Sequence, residues 1–167
     1  MEYKEKSQSY RPQSITDIVA RYGTISVQPS GDLVWTDADL WLKACVMPKE
    51  ISAVLKMANG KPVTRIFCNS DAHSPLLDAL GNLIYTGTHK ELYSFDGCFN
   101  VRWVRGHPGQ VSMHSYALAL DFNAFRNPLG ALKGSWSDIF VKCWTDVGWT
   151  YGGDFTRHDP MHFQWCG

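Results

Sequence analysis

Residues 117–123 constrain the fold of this chain more than any other stretch. Successive side chains of a strand point to opposite faces of a sheet, so this stretch predicts a β-strand with two unlike faces. One face carries large apolar side chains that suit a core, and the other carries alanines beside Asp121. The apolar set is Leu118, Leu120 and Phe122. The pattern therefore predicts a sheet packed on one side, with a carboxylate and free space on the other.

His114 lies seven residues before Asp121. A continuous strand would separate the two Cα atoms by about 23 Å, at about 3.3 Å per residue, and the odd spacing would turn the side chains to opposite faces. The two side chains can therefore meet only if the chain bends between them. We predict this bend at Ser115–Tyr116, with His114 in the loop before the strand.

A second polar group, Asp159-Pro-Met-His162, lies close to the C-terminus. Pro160 fixes its own φ and keeps the preceding residue out of the helical region, so the segment is predicted to lead into a strand. An acid three residues before a metal ligand can lie beside the ion without binding it, where a general base for the attacking water belongs.

These residues allow a zinc site but do not require one. Zinc accepts imidazole nitrogen and carboxylate oxygen at about 2 Å, and residues that share an ion need Cα atoms within about 10–12 Å of one another. His114, Asp121 and His162 meet these requirements if the chain bends. The alternative is structural, because a single histidine in an apolar stretch is commonly a hydrogen-bonded core residue, and an aspartate before proline commonly belongs to a turn. From the residues alone, both interpretations stay open.

The rest of the chain combines helical and extended patterns without repeats. Ser14 as N-cap and Gly23 as terminator predict a first helix over 14–22. The other predicted helices are 48–58, 75–83 and 135–144. The other predicted strands are 63–68, 98–105, 149–151 and 161–165. We expect an α+β fold, with a small, mostly antiparallel sheet, helices packed to one side and the zinc site on the sheet. Residues 1–12 are expected to form a flexible arm, and residues 13–167 a single domain.

Composition excludes several classes of function. Lys plus Arg and Asp plus Glu both number 16, so the neutral chain has no electrostatic reason to bind nucleic acid or an anionic membrane. No apolar run is long enough for membrane insertion, and the hydrophilic N-terminus lacks the core of a signal peptide, so we expect synthesis in the cytoplasm. The five cysteines include no Cys-x-x-Cys, which favours free, buried thiols over disulfides or a thiolate zinc site.

The two polar motifs together resemble those of the zinc D-Ala-D-Ala carboxypeptidase and L-alanyl-D-glutamate peptidase family. This family includes bacterial cell-wall peptidases and many phage endolysins. The motifs stand here as Ser-x-His-x-x-x-x-x-x-Asp at 112–121 and Asp-x-x-His-Phe at 159–163. Residues 96–106 are similar to the family's segment that carries a functional arginine, and residues 148–155 to its aromatic Gly-Gly stretch. The resemblance covers about residues 96–166, the motif-bearing part of the predicted domain.

The resemblance implies roles for individual residues. One zinc ion per chain would be held by His114, Asp121 and His162, with Asp159 as general base. Arg102 would bind a substrate oxygen and stabilise the tetrahedral intermediate.

The implied substrate-binding residues each have a structural alternative. Arg105 is the second choice after Arg102 and is otherwise a solvated strand residue. Ser112 either binds substrate or caps the following turn, and Trp165 either walls the cleft or packs in the core. Ala117 stands where relatives often have glycine, and we expect its methyl group to narrow the cleft.

The implied substrate is the peptidoglycan stem peptide. We expect an endolysin-like enzyme that cuts the L-Ala–D-Glu bond of the cell wall after release, acting as a monomer. One alternative is a D-alanyl-D-alanine carboxypeptidase or dipeptidase. Another, from a different class, is a non-catalytic wall-binding or virion-structural module.

Overall fold

The computed structural model describes residues 2–167, which form an α+β fold. The described α-helices are α1 (Ile15–Tyr22), α2 (Ala38–Trp41), α3 (Lys49–Val54), α4 (His73–Thr86) and α5 (Asp138–Thr145). The described strands are β1 (Ile25–Val27), β2 (Leu33–Trp35), β3 (Leu42–Val46), β4 (Arg65–Asn69), β5 (Phe95–Gly97), β6 (Trp103–Val104), β7 (His107–Val111), β8 (Ala119–Phe122), β9 (Thr150–Tyr151) and β10 (His162–Gln164). Within this range, no helix combines the length and the apolar character that crossing a bilayer requires.

A four-stranded antiparallel sheet forms the centre of the fold, with the strand order β5-β8-β10-β9. Three further antiparallel pairs surround it: β1-β2, β3-β4 and β6-β7. Helix α5 packs on one face of the central sheet, and α4 packs against α5. This arrangement confirms the predicted fold class, including the small antiparallel sheet.

One part of the core lies between the central sheet and α5. Trp144 stacks on Phe163 of β10 with ring centroids 4.8 Å apart, and Phe140 is fully buried beside them. The predicted core-facing side chains, each at most 1% exposed, are Leu118, Leu120 and Phe122. Ala117 and Ala119 of the other face are buried as well, so the predicted open face is open only at Asp121. Truncating a buried ring such as Phe163 to alanine typically costs about 3–5 kcal/mol, so this layer holds β8 and β10 firmly in place.

Local sequence patterns predicted some helices and strands correctly and others incorrectly. Ser14 caps α1 by accepting a hydrogen bond from Asp17 N–H, and the helix ends before Gly23 at φ 83°, as predicted. The strand prediction for 98–105 is wrong over most of its length. The backbone N–H groups of Asn100 and Arg102 donate instead to the turn around His114, so this segment supports that turn rather than a strand.

The N-terminal segment differs from the flexible arm that we expected. Met1 lies outside the described residues, but residues 2–12 run along the domain. The backbone N–H groups of Lys6 and Ser7 donate to the carbonyls of Asp146 and Val147, directly after α5, at 2.8 and 3.0 Å. Arg11 donates to the carbonyl of Cys166 at 2.9 Å. These contacts involve partners more than a hundred positions away, which is why composition near the N-terminus did not indicate them.

Candidate metal centre

Asp121 and His162 meet because their strands pair in register. β8 and β10 are antiparallel, and Asp121 is the direct Cα partner of His162. Opposite residues of antiparallel strands project their side chains from the same face. His162 Nδ1 consequently lies 3.1 Å from Asp121 Oδ1, on the face opposite Phe163. The sheet itself therefore brings together two of the three predicted ligands.

A 3-10 turn over Met113–Tyr116 brings His114 to the same carboxylate. Ser112 caps this turn, because its Oγ accepts a hydrogen bond from the backbone N–H of His114 at 3.4 Å. Beyond the turn the chain enters β8, and His114 Nε2 lies 3.2 Å from Asp121 Oδ2. The bend thus includes the predicted position, and it removes the separation that a continuous strand would impose.

Ala117 ends this turn in a left-handed conformation, with φ 53° and ψ 34°. Glycine adopts such angles without steric cost, whereas other residues pay about 1–2 kcal/mol. Ala117 is 1% exposed and does not line the cleft, so our expectation that its methyl group narrows the cleft is wrong. The angles show instead that this position favours glycine for its backbone conformation.

Hydrogen bonds on the far side of each imidazole leave one nitrogen facing Asp121. His114 Nδ1 lies 2.6 Å from the carbonyl oxygen of Cys98, so it carries the hydrogen and leaves Nε2 free. His162 Nε2 lies 3.1 Å from Oε1 of Gln164, which occupies the same face of β10 two positions further on. Donation to Gln164 leaves His162 Nδ1 free. Such outer contacts typically set the tautomer of a metal-binding histidine.

The electrostatics of the site favour a cation between these groups. Burial alone would raise the pKa of Asp121, but the neighbouring imidazoles of His114 and His162 outweigh burial and hold that pKa well below its ordinary value. Burial lowers the pKa of His162, while Asp121 and then Asp159 raise it, and the net direction is upward. The ionised carboxylate thus favours a positive charge at this point, from a proton or from a metal ion.

His114, Asp121 and His162, termed the His-Asp-His cluster below, fit a zinc ion. One ligand atom from each lies within 4.8 Å of the others. His114 Nε2 is buried and, among residues 2–167, receives no hydrogen bond of acceptable geometry despite its proximity to Asp121. A buried nitrogen without a partner is costly. Two imidazole nitrogens and one carboxylate oxygen form the kind of three-ligand set that catalytic zinc sites use.

Asp159 lies next to the His-Asp-His cluster and is not part of it. Its carbonyl accepts a hydrogen bond from His162 N–H at 3.0 Å, and its own N–H donates to Gly152 at 2.8 Å. A Cβ at Gly152 would come within 2.5 Å of the Asp159 carbonyl, so this contact needs glycine. The aromatic Gly-Gly stretch therefore has a packing role in placing the acid.

The side chain of Asp159 has the properties of a proton-transfer group. Its Oδ1 is buried and has no hydrogen-bond partner within the described part of the chain. Burial raises the pKa of Asp159, His162 opposes this effect, and Asp121 adds to it, with a net upward shift. A carboxylate with a raised pKa beside a ligand cluster suits general base chemistry.

A cleft of about 420 Å³ opens over the His-Asp-His cluster. One wall is formed by the β6-β7 hairpin and the other by residues 155–161. Asp159 and all three predicted ligands line it. The cleft gives these groups access to a molecule from solvent.

Three arginines line this cleft, of which Arg102 and Arg105 were predicted. The backbone N–H of Arg102 donates to Ser115 Oγ at 2.9 Å, which ties Arg102 to the turn that carries His114. Arg102 and Asp159 both line the cleft, and the positive charge of Arg102 opposes the effect of burial on the pKa of Asp159. Arg105 is exposed, and its carbonyl accepts a hydrogen bond from the guanidinium of Arg157. The cleft therefore presents a cationic wall.

The remaining two predicted substrate-binding residues differ in position. Ser112 lines the cleft and also caps the turn, so the structure is compatible with both interpretations. Trp165 lies in the core at 1% exposure, packs on Trp149 and donates from Nε1 to the Tyr10 carbonyl at 2.7 Å. This placement corrects the expectation that Trp165 walls the cleft. The reason is strand alternation, because Trp165 has the parity of core-facing Phe163, not of His162.

Sequence reasoning missed several polar residues of the cleft, among them Gln164 and Arg157. Gln164 was detectable, since it follows His162 by two positions and must share its face of a strand. Arg157 had no such signal, because its place in the cleft depends on the path of a loop. The cleft also has an apolar contribution from Phe155, whose ring lies 6.0 Å from that of His162.

Comparison with known families agrees with this geometry. Residues 105–165 match the family model described as D-alanyl-D-alanine carboxypeptidase. Neither curated proteins nor solved structures give a match to the chain. The family match includes both polar motifs and confirms the predicted resemblance. It supports, in general terms, a zinc peptidase that acts on peptidoglycan.

Proposed function

Starting from this family match and the geometry of the cleft, we propose that this protein is a zinc-dependent, endolysin-like peptidase that hydrolyses the L-Ala–D-Glu bond of the peptidoglycan stem peptide. The observation that carries the proposal is the convergence of the His-Asp-His cluster around a buried, unpaired nitrogen, with Asp159 on the same cleft. In this proposal the cluster holds one zinc ion per chain. When bound, zinc would polarise the scissile carbonyl and make a water molecule more acidic.

Asp159 moves the proton in this proposal. Its carboxylate would accept a proton from the attacking water and deliver it to the leaving amine, so that water adds across the peptide bond. The upward shift of the Asp159 pKa suits a group that must both take and return a proton. Its hydrogen bonds to His162 and Gly152 are backbone contacts, so the side chain stays available.

Arg102 stabilises negative charge in this proposal. It lines the cleft close to Asp159, and its backbone is fixed by Ser115. Its guanidinium donates to the carbonyl of Trp103 at 3.3 Å, and its remaining N–H groups would donate to the developing oxyanion, which would stabilise the transition state more than the ground state.

The cationic wall favours a substrate with a free carboxylate. In a stem peptide, the L-Ala–D-Glu and D-Ala–D-Ala bonds are both followed by a D-residue with a free α-carboxylate. Arg105 and Arg157 lie along the same cleft as Arg102 and offer partners for that group. We favour the L-Ala–D-Glu bond because the hairpin wall extends from Arg102 to Gln110, which offers an extended peptide a longer surface than a terminal dipeptide needs.

The second candidate is D-alanyl-D-alanine carboxypeptidase activity, which the description of the matching family favours. The two activities leave different fragments of a muropeptide that retains its sugar. Cleavage of L-Ala–D-Glu separates the sugar-linked alanine from the remaining peptide, whereas carboxypeptidase action removes one terminal alanine.

Mass spectrometry of a muropeptide digest by the zinc-loaded protein tests the proposal. We expect the sugar-linked alanine fragment, and we expect Asp159→Asn to abolish it. Amidation of the D-Glu α-carboxylate should slow cleavage, because the arginines lose their anionic partner. Loss of terminal alanine alone would replace the proposal by the second candidate. Binding to cell walls without any fragment would favour the non-catalytic alternative.

A further inference from the structure

A second group of potential metal ligands lies outside the cleft. Cys45, Cys68 and His73 offer one sulfur or nitrogen atom each, all within 4.8 Å of one another. Both cysteines are free thiols, 2% and 1% exposed. We refer to these three residues as the Cys-Cys-His cluster.

Strand register and a helix start bring the three residues together. β3 and β4 are antiparallel, with Cys45 opposite Ile66 and Cys68 opposite Lys43. The two cysteines are therefore diagonal neighbours on one face of the pair, a spacing that side chains can bridge. His73 opens α4 after the short turn that follows β4, and its Nε2 lies 3.4 Å from the Cys68 carbonyl.

The donor types are those of a structural zinc site. Thiolate sulfur and imidazole nitrogen are preferred zinc ligands, and because structural sites have four ligands, a water molecule would complete the three that this cluster supplies. Two thiolates would neutralise the charge of a divalent ion, which removes most of the cost of burying it. His73 is only partly buried, so the cluster has a side open to an incoming ion.

From this geometry we propose that the Cys-Cys-His cluster binds a second, structural zinc ion. On binding, each thiol gives its proton to solvent and forms a sulfur–zinc bond, while neutral His73 contributes a lone pair. The absence of Cys-x-x-Cys, which argued against a thiolate site, does not exclude one built from separate strands.

The Cys-Cys-His cluster adjoins the turn that carries His114. Asn69, directly after Cys68, donates from its backbone N–H to the carbonyl of Ala117 at 2.9 Å and from Nδ2 to Tyr116 at 3.3 Å. Cys98, whose carbonyl orients His114, donates from Sγ to the carbonyl of Ala117 at 3.7 Å. A metal ion on Cys68 would therefore stiffen the support of the catalytic turn without touching substrate.

Cobalt titration of the metal-free protein tests this proposal without any activity readout. Cobalt bound to thiolate gives an intense near-ultraviolet charge-transfer band, and cobalt bound only to histidine and carboxylate does not. We expect wild-type protein to show this band, and His114→Ala to retain it while losing one equivalent of cobalt. Cys68→Ser and His73→Ala should each lose or strongly weaken it. Cys143→Ser removes another buried thiol outside the cluster and should leave the band unchanged.

Circular dichroism of each variant decides between metal loss and misfolding. His73→Ala changes a partly exposed side chain, so this variant keeps the test valid if Cys68→Ser does not fold. A folded wild-type protein that binds cobalt without a thiolate band overturns the proposal, as does a band of full intensity in His73→Ala and Cys68→Ser alike.

Discussion

The His-Asp-His cluster and the Cys-Cys-His cluster are of similar size, but they differ in surroundings and in charge. The first faces a cleft of about 420 Å³, and the second lies between a strand pair and α4. With one carboxylate ligand, a bound divalent ion keeps a net positive charge, whereas two thiolate ligands cancel that charge. A catalytic ion needs residual positive charge and an open coordination position, whereas a structural ion is best neutralised and surrounded by its ligands.

The comparison also shows how each cluster is held. Asp121 and His162 are direct cross-strand partners on the central sheet, backed by the Trp144–Phe163 stack. Cys45 and Cys68 are diagonal partners on a two-stranded ribbon. The second cluster therefore rests on fewer paired strands than the first, and we expect a bound ion to add more to its local stability.

The substitution with the largest expected effect also distinguishes metal binding at the two clusters. His114→Ala should lower hydrolysis at least about 10³-fold, because every step depends on the intact ligand set. Elemental analysis should show loss of the metal bound to the cleft and retention of the metal bound to the cysteines. A variant that lacks cleft metal and remains fully active would refute the ligand assignment.

Asp159→Ala should keep its zinc and lose about 10²–10⁴-fold in turnover, the usual contribution of a general base. The measurement is turnover on a muropeptide alongside metal content. Asp154→Asn is the matched control, since Asp154 is an exposed acid on the same loop and should leave both unchanged. Stoichiometric zinc loss in Asp159→Ala would make Asp159 a ligand and contradict its assignment as base.

Arg102→Ala should lower turnover by about 10²–10³-fold, the cost of removing one charge partner of an oxyanion. Its structural bond to Ser115 is made by the backbone and survives the substitution. Arg126→Ala, which removes an exposed guanidinium stacked on Tyr93, is the control and should be neutral. A loss confined to KM would mean that Arg102 only binds substrate.

Gln164→Ala should have the smallest effect, about a 10–100-fold loss of zinc affinity, as is typical when the outer partner of a metal-binding histidine is removed. Competition with a chelator measures it. Gln164→Glu retains an acceptor for His162 Nε2 and should restore most of the affinity. Equal losses in both variants would mean that the acceptor does not position His162.

Strand patterns made the central sheet and its polar face predictable. The alternation of residues 117–123 predicted the core-facing side chains of β8, and Pro160 indicated the extended start of β10, but the other face of β8 is open only at Asp121. The position of His114 could be inferred only as a need for a bend, since the turn that supplies it depends on Ser112 and on the left-handed angles of Ala117.

Features built from distant partners were not predictable in this way. Residues 2–12 were predicted to be flexible, because their hydrogen-bond partners lie directly after α5 and at the C-terminus, too far along the chain for local composition to indicate them. The Cys-Cys-His cluster depends on the register of β3 and β4, which no local spacing reveals. Trp165 was wrongly predicted to line the cleft. Its odd spacing from His162 already indicated the opposite, core-facing side of the strand.

Anomalous diffraction at the zinc edge, from crystals of zinc-loaded protein, tests the central claim most directly. The account predicts a peak about 2 Å from His114 Nε2, His162 Nδ1 and a carboxylate oxygen of Asp121, with Asp159 beside it and not bonded to it. The absence of a peak at the His-Asp-His cluster in a fully active crystal would contradict the account, whatever is found at the cysteines.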